Sequence, residues 1–169
     1  MTQRKIQARL GIDVGRVLIA AALPGGGDTA FIGGSMADAL ATPAYEGMFE
    51  HVPELVEHFE GRVWLVSKAG PSVQAKTRQW LRHHRFHERT GIPAENVRFC
   101  RERAQKAIHC KQLHITHFID DRADVLQHLQ DIVPHCYLFG PQRKHSVVQA
   151  EAAATWAEAA RLVLRQLQA

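Results

Sequence analysis

The sequence has few of the features that mark membrane, secreted or disulfide-stabilised proteins. Its 169 residues contain only three cysteines, and no two of these stand close together. An odd number of widely spaced cysteines predicts neither a disulfide framework nor a zinc knuckle, so we expect a reducing compartment. The longest apolar run, residues 17–23, is far shorter than the roughly 20 residues that a membrane-spanning helix needs. The charged first residues have no apolar stretch behind them, so the sequence predicts a soluble, cytoplasmic protein without membrane contact.

Neither sign of charge dominates the chain. The net charge at pH 7 is +4, and the isoelectric point is about 9.2. This mild excess favours anionic substrates but is insufficient evidence for nucleic-acid binding. Residues 78–89 are rich in arginine and histidine and include two aromatic side chains, which is a composition found on some nucleic-acid surfaces. A solvated helix face over a buried aromatic stripe explains the same residues, and we favour that interpretation.

Two patterns that often mark binding sites predict no site in this chain. The eleven histidines include local groups at 83–87 and 109–117. Adjacent histidines do not share a helical face, and no cysteine or acidic residue completes a tetrahedral set, so zinc is not predicted. The glycine run at 25–27 is followed by neither a lysine-serine pair nor a helix start, so it is not a phosphate-binding loop.

Apolar runs of strand length alternate with segments of helical period. This pattern predicts an α/β fold, a three-layer α/β/α sandwich with a Rossmann-like parallel sheet covered on both faces. We expect strands at about 8–14, 62–66, 97–100, 116–119 and 135–139. We expect helices at about 48–59 and 71–84, and from about residues 104 and 122 onward. The length fits one domain, residues 1–169, with its core at about 6–140 and a docking helix at about 147–168.

The segment between the first strand and the first helix predicts a hairpin. Residues 17–23 are apolar, residues 24–28 read Pro-Gly-Gly-Gly-Asp, and residues 29–32 form the return arm. We expect this hairpin to stand over the strand ends as a small flap.

Acidic residues close two of the predicted strands. Asp13 follows a short apolar run, and Asp120 and Asp121 follow another. Because the carboxyl ends of parallel strands meet at one edge of a sheet, we expect these carboxylates to share one site. Between them in sequence stand a hydroxyl and two cations, at Ser67, Lys68 and Lys106. Oxygen ligands suit a hard cation, and donors and cations suit phosphoryl oxygens, so the pattern indicates magnesium-assisted phosphoryl transfer.

This order of residues resembles the four motifs of the haloacid dehalogenase-like hydrolases, most of which are phosphatases that work through an aspartyl-phosphate. The motifs are carried by Asp13, Ser67, Lys106 and the pair Asp120-Asp121, and the resemblance covers roughly residues 6–140. One position departs from the family. A second aspartate usually stands two residues after the nucleophile, and this chain has Gly15 there.

The resemblance implies a Mg²⁺ site. In the family, the nucleophile's carboxylate, the backbone carbonyl two residues on and the acidic pair hold the metal, which corresponds here to Asp13, Gly15, Asp120 and Asp121. A carbonyl ligand requires no side chain, so Gly15 is compatible with metal binding. Asp121 would either bind the metal through a water molecule or position Lys106. Asp124 stands at the start of the next helix, where its charge would stabilise the positive end of the helix dipole without a role in the site.

The resemblance also implies roles around the phosphoryl group. Asp13 would attack phosphorus, Ser67 would donate its hydroxyl to a phosphoryl oxygen, and Lys106 would screen the approach of two anions. Two further residues are predicted to bind substrate. Lys68 would face the leaving group, and Arg16 would clamp a phosphate. Either residue could instead point into solvent without a role in the site.

Gly15 bears on turnover because it removes the family's usual proton donor to the leaving oxygen and the base for the attacking water. Asp28 on the predicted flap, or a histidine, would have to serve instead, or the step is slow.

The sequence therefore predicts a Mg²⁺-dependent phosphatase that acts on a phosphate monoester. The gaps before and after Ser67 are too short for a large cap domain. Family members without caps often act on bulky or macromolecular phosphates or borrow a cover from a neighbouring subunit, so such a substrate or a homo-oligomer is implied.

Two alternatives follow from Gly15. The first is a catalytically weak or inactive member that binds a phosphorylated ligand or a protein partner. The second is dehalogenation, which would keep an attacking aspartate, but the intact acidic pair argues for a metal and against it.

Overall fold

Six parallel strands form one sheet in the part of the chain that the computed structural model describes, residues 6–21, 34–142 and 148–169. The strands are β1 (Leu10–Ile12), β2 (Val63–Lys68), β3 (Val97–Cys100), β4 (His117–Asp120), β5 (His135–Phe139) and β6 (Glu151–Ala153). Their order across the sheet is β3-β2-β1-β4-β5-β6. The two strands that lead into the acidic segments, β1 and β4, therefore lie side by side, with Ile12 opposite Ile119.

The central strands are buried on both faces, as expected of a parallel sheet covered by helices. Every residue of β1 and of β4 is buried. Gly11 allows the two strands to pack this closely, because a Cβ atom there would lie 2.5 Å from Phe118 Cδ2.

Helices cover both faces. They are α1 (Met36–Ala41), α2 (Met48–His58), α3 (Pro71–His83), α4 (Phe86–Thr90), α5 (Lys106–Gln112), α6 (Ala123–Leu129) and α7 (Trp156–Leu167). Alternate residues of β5 point to opposite faces. Tyr137 and Phe139 belong to the core under α2, α3 and α7, whereas Cys136 and Leu138 pack with α5 and α6. This arrangement confirms the predicted three-layer α/β/α fold.

The structure corrects the predicted tail. A helix was expected from about residue 147, but β6 pairs in parallel with β5 and α7 begins only at Trp156. Thr155 caps α7 by accepting a hydrogen bond from the Glu158 N–H. The strand forms because it meets the free edge of β5, a tertiary contact that overrides the helix propensity of alanine.

Helix α2 contains Pro53 beyond its first turn. Proline has no N–H, so the bond that this position would donate to the carbonyl of Phe49 is missing. The helix is held instead by its apolar face, where Val52, Leu55 and Val56 are buried.

Only the beginning of the predicted flap lies within the described residues. Val17, Leu18 and Ile19 are fully buried, residues 16–18 form a turn, and Ile19 makes isolated bridges to Gly15 and Ala44. The predicted turn and return arm, with Asp28, lie in residues 22–33, outside the described part.

Two further features bear on the sequence analysis. The three cysteines are free and buried. Among the described residues, no helix combines the length and the apolar composition needed to cross a membrane.

Candidate active site

The ends of β1, β2 and β4 bring three predicted side chains to one edge of the sheet. Asp13 follows β1, and its backbone N–H donates to the Ile119 carbonyl at 3.0 Å, which ties it to β4. Ser67 lies near the end of β2, and Asp120 ends β4. All three residues are buried. The parallel register thus places the Asp13 and Asp120 carboxylates next to each other.

Lys106 lies between these two carboxylates. It begins α5, directly after a single 3₁₀ turn at Arg103–Gln105. Its Nζ is 2.8 Å from Asp13 Oδ1 and 2.8 Å from Asp120 Oδ2, and the residue is 3% exposed. Burial on its own lowers the pKa of Lys106, but the charges of Asp120 and Asp13 outweigh burial and raise it. Lys106 is therefore a fixed cation at the base of the site.

Three carboxylates crowd together beside this lysine. One oxygen from each of Asp13, Asp120 and Asp121 lies within 4.8 Å of the others. Burial, followed by the charge of Asp13, raises the pKa of Asp120. Burial and the charges of Asp13 and Asp120 raise the pKa of Asp121 to about 9. A divalent cation favours the ionised form of all three groups, and an all-oxygen set of this kind fits Mg²⁺.

The chain turns sharply after Asp120, which lets two adjacent aspartates reach one place. Asp120 Oδ1 accepts a hydrogen bond from the Arg122 N–H at 3.0 Å.

Asp124 has a different role. Its carboxylate pairs with the Arg122 guanidinium through two 3.0 Å contacts and accepts from the Val125 N–H at the start of α6.

A small cavity of about 40 Å³ opens at this edge of the sheet. All the predicted site residues except Asp120 line it: Asp13, Gly15, Arg16, Ser67, Lys68, Lys106 and Asp121. Asp120 is fully buried and contacts the site through Lys106. Within the described residues, the structure therefore brings the predicted site residues together at one place.

The turn after Gly15 places Arg16 on the cavity. Arg16 has a φ of 60°, a left-handed conformation that is uncommon outside glycine. The turn is held from two sides. The Leu18 N–H donates to the Val14 carbonyl at 2.9 Å, and Trp156 Nε1–H donates to the Val17 carbonyl at 2.8 Å.

No protein-family model and no curated protein matches the sequence, but solved structures match its fold. The D,D-heptose bisphosphate phosphatase of B. bronchiseptica, complexed with magnesium and phosphate, superposes with a TM-score of 0.68 at 12% identity, over 94% of this chain and 99% of that chain. A haloacid dehalogenase-like hydrolase from Xanthomonas campestris superposes with a TM-score of 0.64 at 12% identity, over 95% of each chain. A HAD family hydrolase from Deinococcus radiodurans R1, with bound phosphate and sodium, superposes with a TM-score of 0.64 at 12% identity, over 95% of this chain and 96% of that chain.

The chain has the fold of the haloacid dehalogenase-like hydrolases. The fold predicted from the four motifs is thereby confirmed. At 12% identity the likeness concerns the fold alone, so the chemistry of this chain has to be argued from the geometry of its own cavity.

Three residues that line the cavity were not predicted: Arg103, Arg122 and Val125. Arg103 opens the turn that leads into Lys106, and Arg122 directly follows Asp121. Their closeness in sequence to predicted site residues was the one available signal. A basic residue in such a position is as often exposed to solvent, so the signal could not separate the two cases.

Gly15 brings no proton donor of its own to the described lining of the cavity. Among the described residues, the lining contains no histidine, cysteine, tyrosine or glutamate. The suggestion that a histidine replaces the second aspartate therefore finds no support in the described part of the chain. Asp28, the other suggested replacement, lies in residues 22–33 and outside that part.

Proposed function

We propose that the protein is a Mg²⁺-dependent phosphatase that hydrolyses a phosphate monoester through an aspartyl-phosphate on Asp13. The observation that carries the proposal is the Lys106 ammonium, fixed at 2.8 Å from both Asp13 and Asp120 beneath a cavity that Ser67 also lines. A buried cation that touches a candidate nucleophile can lower the repulsion between that carboxylate and a phosphate dianion.

Asp13, Asp120 and Asp121, with the carbonyl of Gly15, would hold Mg²⁺, which supplies neutralising charge for the attack of one anion on another. The all-oxygen cluster supports this assignment. The magnesium and phosphate in the B. bronchiseptica phosphatase and the phosphate in the Deinococcus radiodurans hydrolase support the same chemistry.

The remaining steps use side chains of this chain. Lys106 orients the Asp13 carboxylate, and the Ser67 hydroxyl donates to a phosphoryl oxygen. Asp13 attacks phosphorus, the bond between phosphorus and the leaving oxygen breaks, and its electron pair departs with that oxygen. Water then attacks the aspartyl-phosphate, which releases phosphate and returns the Asp13 carboxylate.

The cover over the cavity bears on the size of the substrate. Among the described residues, the segment before Ser67 holds α1 and α2 and the segment between Ser67 and Lys106 holds α3, α4 and β3, with no domain-sized insertion in either. This arrangement supports a bulky or macromolecular phosphorylated substrate, or a second copy of the chain as a cover.

The test is Mg²⁺-dependent hydrolysis of an aryl phosphate by the wild type and by Asp13→Asn. An aryl leaving group needs little assistance from an acid, so the wild type should turn over despite Gly15. We expect activity that disappears in Asp13→Asn. Activity that persists in the variant would exclude Asp13 as the nucleophile.

Gly15 favours a second candidate function, that of a module which binds a phosphorylated ligand or a protein partner without turnover. Gly15→Asp separates the two functions. Phosphatase activity that appears only in Gly15→Asp would make the natural protein a binding module. An active wild type that changes little in this variant would support the phosphatase.

A further inference from the structure

The connection between β3 and α5 decides where the Lys106 ammonium lies. Strand β3 ends at Cys100 and α5 begins at Lys106, so residues 101–105 span the distance between them. The backbone N–H of Lys106 donates to the Arg103 carbonyl, which makes Lys106 continuous with the 3₁₀ turn that precedes α5. A shift of this turn therefore shifts Lys106 and its side chain.

Gln105 holds this connection through its side chain. Its Oε1 accepts hydrogen bonds from the Arg101 N–H and the Glu102 N–H, both at 3.0 Å. Its backbone N–H donates to the Glu102 carbonyl, also at 3.0 Å. The two N–H groups belong to the start of the connection, and Gln105 itself ends it. One side-chain oxygen thus ties the two ends of residues 101–105 together.

The structure on either side of this connection is anchored independently of Gln105. The Ala69 N–H donates to the Cys100 carbonyl at 2.9 Å, which ties the end of β3 to the loop after β2. The ring Nε2 of His109 lies 3.2 Å from the Phe99 carbonyl, which joins the middle of α5 to β3. These anchors fix the strand and the body of the helix. Gln105 therefore acts on the stretch between them, which includes the first residue of α5.

The site depends on where Lys106 stands. Its Nζ lies 2.8 Å from an oxygen of Asp13 and 2.8 Å from an oxygen of Asp120, and the residue is 3% exposed. A reacting group displaced by about 1 Å can lose roughly 100-fold in rate, because attack depends on distance and direction. Gln105 is half-buried and is not among the residues that line the cavity. Its effect on the reaction would therefore pass through Lys106.

We infer that Gln105 is a positioning residue, whose amide oxygen fixes residues 101–105 and thereby keeps the Lys106 ammonium buried between Asp13 and Asp120. The consequence for catalysis rests on the proposed function, because it requires Asp13 to be the nucleophile. The placement of Lys106 does not depend on that function and has a test of its own.

Lysine labelling tests the placement without reference to activity. Reductive methylation of the folded protein without Mg²⁺, followed by mass spectrometry, measures how readily Lys106 leaves its carboxylate partners and meets the reagent. We expect Lys106 to react at least ~5-fold faster in Gln105→Leu, which has a similar size but no acceptor, than in the wild type. Gln105→Glu keeps an oxygen that accepts from backbone N–H groups, so its Lys106 should stay protected.

Lys111 is the internal reference for the labelling, because it is exposed on the same helix. It should react at one rate in all three proteins. Gln112→Leu is the matched control, since it removes an exposed glutamine at the other end of α5, and it should leave Lys106 protected. Equal labelling of Lys106 in the wild type and in Gln105→Leu would overturn the inference. Faster labelling of Lys106 and Lys111 together would overturn it as well, because the whole helix would then have loosened.

Hydrolysis of the aryl phosphate at saturating Mg²⁺ tests the catalytic consequence. Gln105→Leu should lower kcat at least ~10-fold and raise KM less than ~3-fold, because Lys106 orients the attacking carboxylate. Gln105→Glu and Gln112→Leu should keep kcat within ~3-fold of the wild type. An unchanged kcat in Gln105→Leu, or an equal fall in Gln105→Glu, would overturn the inference while leaving the phosphatase intact. If the wild type hydrolyses nothing, the proposed function fails and the labelling alone decides the inference.

Discussion

A buried histidine at the edge of the sheet opposite the cavity makes the stability of the protein depend on pH. His117 begins β4 and is 3% exposed. Its Nε2–H donates to Gln166 Oε1 at 3.1 Å, and its Nδ1 lies 2.7 Å from the Thr116 hydroxyl oxygen, which itself donates to the Arg9 carbonyl at 3.1 Å. Burial lowers the pKa of His117 from 6.5 to about 4.

The sign and size of the effect follow from this shift. Between the two pKa values the unfolded chain binds a proton at His117 that the folded chain excludes, so the free energy of unfolding falls as pH falls from 6.5 towards about 4. The full shift corresponds to roughly 3 kcal/mol, and about 2 kcal/mol of it is lost between about pH 7 and about pH 5. Above the unfolded pKa the contribution is fully present.

Urea unfolding of the wild type and of His117→Phe at these two pH values tests the argument. The variant should be less stable at neutral pH, because Gln166 loses a hydrogen-bond partner, by about 1–3 kcal/mol. Between the two pH values it should lose about 2 kcal/mol less than the wild type. Burial also lowers the pKa of His84 and of His135, and their effect has the same sign in both proteins.

The control is His128→Gln, because His128 is exposed on α6. This variant should keep the pH dependence of the wild type. If the His117→Phe stability falls with pH as steeply as that of the wild type, the burial of His117 is not the cause of the dependence.

Three further outcomes follow from the described contacts. Asp120→Asn should weaken Mg²⁺ binding at least ~10-fold in calorimetry, and an unchanged affinity would remove Asp120 from the metal site. Lys106→Met leaves two buried carboxylates without their cation, so urea unfolding without Mg²⁺ should show a loss of about 3–5 kcal/mol; a loss below about 1 kcal/mol would contradict the role of this ion pair. Gly11→Ala places a Cβ 2.5 Å from Phe118 Cδ2 and should cost about 1–3 kcal/mol, whereas Gly70→Ala, with nothing within 4 Å, should cost less than about 1 kcal/mol.

The sequence predicted the strands that carry the site because each is a short apolar run closed by a polar residue. The strand at 135–139 was predicted at the observed bounds because residues 136–139 are an apolar run bounded by His135 and Gly140. These signals are local, since a strand buried on both faces must be apolar along its whole length.

The sequence analysis missed elements whose signals are weak or tertiary. Helix α1 is short and buries only Ala39, so it has no apolar period, although Ser35 and Asp38 form a capping box at its start. Strand β6 contains residues that favour helices and forms because it pairs with β5. The cavity contacts of Arg103 and Arg122 depend on how four segments meet, which no local pattern encodes.

The hydrogen bond from Trp156 to the Val17 carbonyl joins residues separated by 139 positions in the chain. The turn that carries Arg16 follows β1, yet one of its anchors lies 139 positions further along the chain. During synthesis the wall of the cavity therefore stays incomplete until α7 has emerged and docked. A chain that ends before Trp156 should consequently bind Mg²⁺ and phosphate less well than the whole chain, which calorimetry on the two forms would measure.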